Sequence, residues 1–181
     1  AVDGNTFDSD EQGVAALGIT LSAGRAFEPH EILPPSDSFD SAPQAIISKA
    51  VAKALFPPNG DALGKTFYDG LNKPIAIVGI IENMHGSWVG WDKLDQVILY
   101  PRVKNGPNAV YVVRTEPGRR DALMRTVEER LGTSNPNRLL RWVRPHTYFE
   151  HQSYLGDRNM AIFLVSVTGV LTAGTKPFKI D

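Results

Sequence analysis

AIISKAVAKALFPPNGDALGKTFYDGLNKPIAIVGII, Ala45 to Ile81, presents strand, helix, turn and strand signals in that order. Ala45-Ile46-Ile47 is a short apolar run ahead of Ser48, a side chain suited to cap a helix because its hydroxyl can accept from an unpaired first-turn amide. Val51, Ala52, Leu55 and Phe56 then recur at helical spacing. Pro57-Pro58 ends that helix, since proline has no amide for the next turn and pushes its predecessor out of the helical region. Asn59-Gly60-Asp61 reads as a turn, and Ile75 to Ile81, apolar at nearly every position, reads as a strand buried on both faces. The stretch is a β-α-β core with no catalytic group in it.

Upstream, residues 1–9 are small and polar around Val2 and Phe7, which predicts an irregular lead-in or a frayed edge strand. Asp8 or Ser9 is placed to cap a short helix over Gly13 to Leu17, closed by Gly18. Ile19-Thr20-Leu21 alternates as a strand does, and the proline-rich Glu28 to Pro43 reads as a long surface loop.

Downstream, Asn83 to Trp91 is a glycine-framed loop holding two tryptophans. Val97 to Tyr100 reads as a strand stopped by Pro101, and the turn Asn105-Gly106-Pro107 leads into a further strand, Ala109 to Arg114. Pro117 to Leu131 has the stripe Leu123, Met124, Val127 and Leu131 of an amphipathic helix, ended by Gly132. Asn135-Pro136-Asn137 turns into a last strand, Leu139 to Val143, and a final helix starts near Thr147. Met160 to Ala173 carries no charge. At about 14 residues it is shorter than the roughly 20 a spanning helix needs, so it reads either as a buried core helix or as the cut start of a membrane helix.

The chain has 181 residues, enough for one domain or two small lobes with a real core, and 42% hydrophobic against 22% charged residues is a globular balance. A formal net charge of -1 gives no general attraction to nucleic acid or anionic membranes. The chain has no cysteine, which excludes disulfides and thiolate metal sites. It begins at Ala1 without a leader, as an excerpt or processed product does.

Candidate chemistry is sparse. Gly60 to Thr66 is one residue short of a phosphate loop and follows a helix where such a loop should open one. His30, His85, His146 and His151 lack zinc-ligand spacing, and no G-x-S-x-G elbow is present. Acidic neighbours such as Glu128 and Glu129 diverge on a helix and mark a solvated face. Arg138, Arg141 and Arg144 around Trp142 make a weak nucleic-acid patch against an acidic balance. No catalytic, cofactor or metal residue is expected. Trp88 and Trp91, with His85 beside them, are the candidate partner contact, because large aromatics in loops bury much area at little entropic cost. The alternative is a loop that folds its tryptophans back onto a small core.

The strings GVAALGITLSAGRAF (Gly13 to Phe27), AIISKAVAKALFPPNGDALGKTF (Ala45 to Phe67), IAIVGIIENM (Ile75 to Met84), VILYPRV (Val97 to Val103) and VYVVRTEPGRRDALMRTVEERL (Val110 to Leu131) stand in one order. In that order and spacing they resemble the extracytoplasmic core domain of MacB/FtsX-type ABC-transporter permeases, over roughly Gly13 to Ala173. The resemblance implies an α+β fold: a mixed β-sheet with packed helices around the β-α-β core, in two small lobes, one porter-like and one an inserted β-rich lobe. It implies an extracytoplasmic core domain over 1–159 lacking its first strands, the start of a truncated membrane helix or an apolar C-terminal helix over 160–173, and a tail over 174–181. It also implies a non-enzymatic role at the periplasmic side of the bacterial inner membrane. There the domain would couple a cytoplasmic ABC ATPase to movement, and to contact with a periplasmic adaptor or exported substrate, within a dimeric parent and with no nucleic acid. A free-standing small periplasmic binding module is the alternative.

Overall fold

The computed structural model of the chain describes residues 4–36, 42–59, 61–86, 90–104, 110–134 and 139–174. The chain divides into two compact units, Ala1–Arg114 and Thr115–Asp181.

The first unit is built on a mixed sheet. Its strands are β1 (Asn5–Ser9), β2 (Leu21–Gly24), β3 (Leu33–Ser36), β4 (Gln44–Ser48), β5 (Thr66–Tyr68), β6 (Pro74–Ile81) and β7 (Val97–Lys104), joined in the order β1-β7-β4-β6-β2, with β3 on β7 and β5 on β6. The β-α-β core read from Ala45 to Ile81 is its centre: β4 and β6 pair in parallel, Ile47 opposite Ile80, with helix α2 (Lys49–Leu55) between them in sequence.

Burial on both sides explains the near-continuous apolar runs of these strands. Neighbouring residues of one strand point to opposite faces. Ile47 and Ile98 accordingly join a cluster with Val51 and Ala52 of α2 and with Phe67, Ile75 and Ile77. Ile46, Val97 and Leu99 join the opposite one with Ile81, Phe27 and Val14 of helix α1 (Gly13–Leu17). Burying one such side chain is worth about 1.5–3 kcal/mol, so these two small clusters are what fix strand order and register.

Several expectations are corrected. β7 runs through Pro101 to Lys104 instead of stopping at it. Pro101 is the last partner of β1, and Arg102 is the first of β3, so the missing amide falls where the strand changes neighbours and β4 pairing has already ended at Leu99. Strand β2 lies at 21–24, not 19–21. The proline-rich 28–43 segment holds a 3-10 turn, Pro29–Glu31, and β3 within it. Of the two readings of the lead-in, the edge strand holds for Asn5–Ser9, which is β1, parallel to β7.

Of the strand expected over 109–114, residue 109 lies outside the described residues, and Val110 to Arg114 is irregular, with Val110, Tyr111, Val112 and Val113 each more than half exposed. A β-branched run needs a ladder partner and a covered face before it orders. Neither is recorded for it among the described residues.

The second unit contains α3 (Arg120–Ser134) and α4 (His146–Gly174). The strand expected over 139–143 is irregular as well, with Leu139 and Trp142 exposed. Helix α3 starts at Arg120, after the turn Glu116–Arg119 in which the Arg119 amide donates to the Glu116 carbonyl (3.2 Å). Helix α4 continues through the uncharged run: Ile162, Phe163, Leu164 and Val165 are all more than half exposed. Four consecutive helical residues cover nearly every side, so this turn of α4 is apolar all round. Among the described residues no helix is long and apolar enough to cross a membrane. The expected turns at 105–107 and 135–137, together with Arg138 and residues 175–181 of the tail, lie outside the described residues.

Candidate functional site: the braced loop between two central strands

The loop from Glu82 to Gln96 joins β6 to β7, the two strands that flank β4, and so leaves the sheet at its centre. Both of its ends are tied down. Lys49, the first residue of α2, pairs with Glu82 at 2.6 Å, and the Glu82 amide donates to the Thr20 carbonyl at 2.9 Å. At the other end the Ser48 hydroxyl donates to the Asp95 carbonyl (2.7 Å) while accepting from the Val97 amide (3.1 Å) and, as helix cap, from the Val51 amide (3.3 Å). One buried hydroxyl thus joins β4, α2 and the return of the loop.

β1 supplies a second brace. The Asn5 side-chain amide donates to the carbonyls of Lys93 (3.3 Å) and Gln96 (3.4 Å), and its backbone amide donates to Gln96 (2.7 Å). Gly86 lies directly on that side chain: a Cβ there would come within 2.1 Å of Asn5 atoms, so the approach needs glycine for room. Across the loop, the Gly86 amide donates to the Leu94 carbonyl at 2.7 Å, and His85 Nδ1 is 3.2 Å from an Asp95 carboxylate oxygen. The Leu94 amide closes a turn on the Trp91 carbonyl at 3.2 Å.

Of the three expected contact residues, His85 is exposed but engaged with Asp95, which makes it a strut of the loop as well as part of its surface. Trp91 is half-buried, at the start of the Trp91–Leu94 turn. Trp88 lies outside the described residues. Asn5, Ser48 and Asp95 complete the arrangement and were not anticipated as loop supports. Ser48 carries a sequence signal, but only as a cap; Asn5 acts on residues about 90 positions away, and no local pattern records that.

Elsewhere, Arg25 forms a two-pronged ion pair with Glu31. The guanidinium meets both carboxylate oxygens at 2.8 and 2.6 Å, and the Glu28 amide donates to the same group at 2.8 Å. These bonds, with help from Gln44 and against the cost of burial, hold the Glu31 carboxyl down to about 2. Burial pushes the Tyr100 hydroxyl up from its ordinary value, while the nearby Arg102 pulls the other way. Lys65 stands by Asp61 at 3.5 Å and over the Phe56 ring at 5.2 Å, the surroundings of a structural turn. In the second unit Trp142 packs on Phe149 with ring centroids 5.0 Å apart, and Arg144 lies 5.2 Å over Tyr148. Among the described residues no three His, Asp or Glu side chains gather as a metal site.

Comparison with known proteins places the chain. Its residues 1–131 match the sequence model of the MacB-like periplasmic core domain. It is thus an extracytoplasmic domain of the ABC-transporter permease class. Within that class it belongs to the MacB-like periplasmic core domain family. A solved structure, the periplasmic region of MacB from Actinobacillus actinomycetemcomitans, is similar at 19% identity and a TM-score of 0.39, covering 56% of this chain and 39% of that one. The chain therefore spans about two fifths of that relative's length. No curated protein matches.

Proposed function

We propose that this domain is non-catalytic and works by contact and movement outside the membrane, coupling ATP hydrolysis by a cytoplasmic ATPase to engagement of a periplasmic adaptor or exported substrate. The observation that carries this reading is the double brace on the 82–96 loop, in a chain whose family consists of permease domains. A surface that must transmit displacement has to be held by the body that moves. Ser48 fastens the loop to the central strand and helix, and Asn5 fastens it to the edge strand, so displacement of the sheet carries the loop with it. Packed elements with fixed hydrogen bonds move as bodies, which is how small shifts are relayed.

The contact is made by Trp88, Trp91 and His85, aromatic and amphipathic groups of the kind that anchor interfaces. The apolar part of α4, Met160 to Ala173, is the start of a membrane helix of the parent, too short by itself to cross the bilayer, and its exposed Ile162 to Val165 are covered there by acyl chains. The parent acts as a dimer at the inner membrane. The test is Trp88→Ala with Trp91→Ala in the parent transporter, reading adaptor or substrate capture together with ATPase activity. Retained capture would remove the loop from the mechanism.

A further inference from the structure

Arg114 is the last residue of the first unit, and it ends the irregular segment 110–114, whose four preceding side chains are exposed. Its guanidinium nevertheless has a fixed address. Nη1 donates to the Ala15 carbonyl at 3.2 Å, at the C-terminal end of α1. There the unpaired carbonyls of a helix concentrate negative partial charge, and a cation is favoured. Gly18, the cap that follows the last residue of α1, is suited to this in two ways. It sits at φ +68, a left-handed conformation that glycine adopts freely, and a Cβ at that position would fall 2.4 Å from both terminal nitrogens of Arg114. The Gly18 amide itself donates to the same Ala15 carbonyl at 3.1 Å, so cap and guanidinium converge on one oxygen.

On the far side of Arg114, the chain enters the turn Glu116–Arg119. Pro117 and Gly118, the latter at φ +81, are the residues this turn type asks for, and an Arg119–Glu116 ion pair at 3.2 Å spans it. We propose that Arg114 is a latch: its hold on the C-terminal end of α1 fixes the point at which the chain leaves the first unit. This inference is independent of the transport reading, since it concerns only how the chain leaves the sheet unit.

Limited trypsin digestion of the intact chain, with hydrogen exchange of the Ile19 amide, which donates to the Val14 carbonyl at 2.9 Å beside the Gly18 cap, tests it. The latch predicts first cleavage after Arg119 or Arg120 and slower cleavage after Arg114, whose side chain is held. Arg114→Gln should raise exchange of the Ile19 amide about fivefold, the factor set by a helix-end interaction of about 1 kcal/mol, with the sheet's melting transition unchanged. Gly18→Ala should raise the same exchange in the wild-type background by more than in the Arg114→Gln background, because the clash with the guanidinium exists only when the latch is present. Equal cleavage at Arg114 and Arg119, unchanged exchange in Arg114→Gln, or equal effects of Gly18→Ala in both backgrounds would overturn it.

Discussion

The Ser48 hydroxyl stands 2.7 Å from the Asp95 carbonyl, 47 positions along the chain, and the same oxygen receives the amides of Val51 and Val97. A helix cap is thereby also the fastening of the loop that returns to β7. Ser48→Ala removes all three bonds at a buried position. The expected loss is about 2–3 kcal/mol, above the ~1 kcal/mol typical of a lost cap, because the Val97 amide and Asp95 carbonyl lose their partner too. Chemical denaturation with hydrogen exchange checks this: amides of 94–97 should exchange faster than those of β6. A loss confined to α2 would mean that the hydroxyl serves only as a cap.

Gly86→Ala drives a methyl into the Asn5 side chain, 2.1 Å from its atoms. Either Asn5 gives up Lys93 and Gln96 or the loop lifts from β1. We expect a cost of about 1–3 kcal/mol, with NMR shift changes at Asn5, Lys93 and Gln96. The companion Asn5→Gly, which makes room for the methyl, should relieve most of the additional cost of Gly86→Ala. If the two costs add, the contact is not the cause.

Acid should loosen the turn after β2. Glu31 has a folded pKa of about 2 against an unfolded value near 4.3, so the unfolded state binds the proton more readily. The stability this pair contributes is therefore present above pH 4.3 and is lost as pH falls towards 2. Arg25 is nearly half exposed, so solvent screens part of the effect, and Glu31→Gln should cost only about 1–2 kcal/mol at pH 7. The difference between wild type and variant should shrink as pH falls from 4.3 to 2. A constant difference over that range would rule out the ion pair as its source.

Ile47→Ala should cost about 2–5 kcal/mol, because Ile47 is fully buried between β6 and α2. Val112→Thr, at an exposed position of the irregular segment, should stay within about 0.5 kcal/mol. Thermal melts of the two variants make the comparison. A large cost at Val112 would mean that 110–113 is covered by structure in solution.

Deleting Met160 to Ala173 separates an anchor from a core helix. With Ile162 to Val165 exposed on consecutive positions, deletion should improve solubility and leave the melting transition of the sheet unit in place. Loss of that transition would show that α4 belongs to the core, as in a free-standing module.

The centre of the fold is legible in the sequence because its signals are local. Ser48 before a helical apolar pattern, Pro57-Pro58 after it and the apolar Ile75 to Ile81 each act within a few residues. Pro101 misled because a proline in a strand is forbidden only where its amide is needed, and that depends on which neighbour the strand has at that point. Val110 to Val113 and Leu139 to Val143 have strand composition, but composition cannot supply a partner. The loop is legible in its glycines and tryptophans. Its supports are not, because Asn5 and Ser48 act across 88 and 47 positions. A hydrogen bond between distant residues leaves no period to read.

The central claim is that the 82–96 loop, whose two ends are braced by the sheet unit, is a contact surface. Its most direct measurement is adaptor or substrate capture by the parent transporter carrying Trp88→Ala and Trp91→Ala, with ATPase turnover and the domain's melting temperature recorded on the same preparation. The account predicts that capture falls at least tenfold while the fold is retained. Capture at the wild-type level, or a loss of capture that simply follows unfolding of the domain, would contradict it.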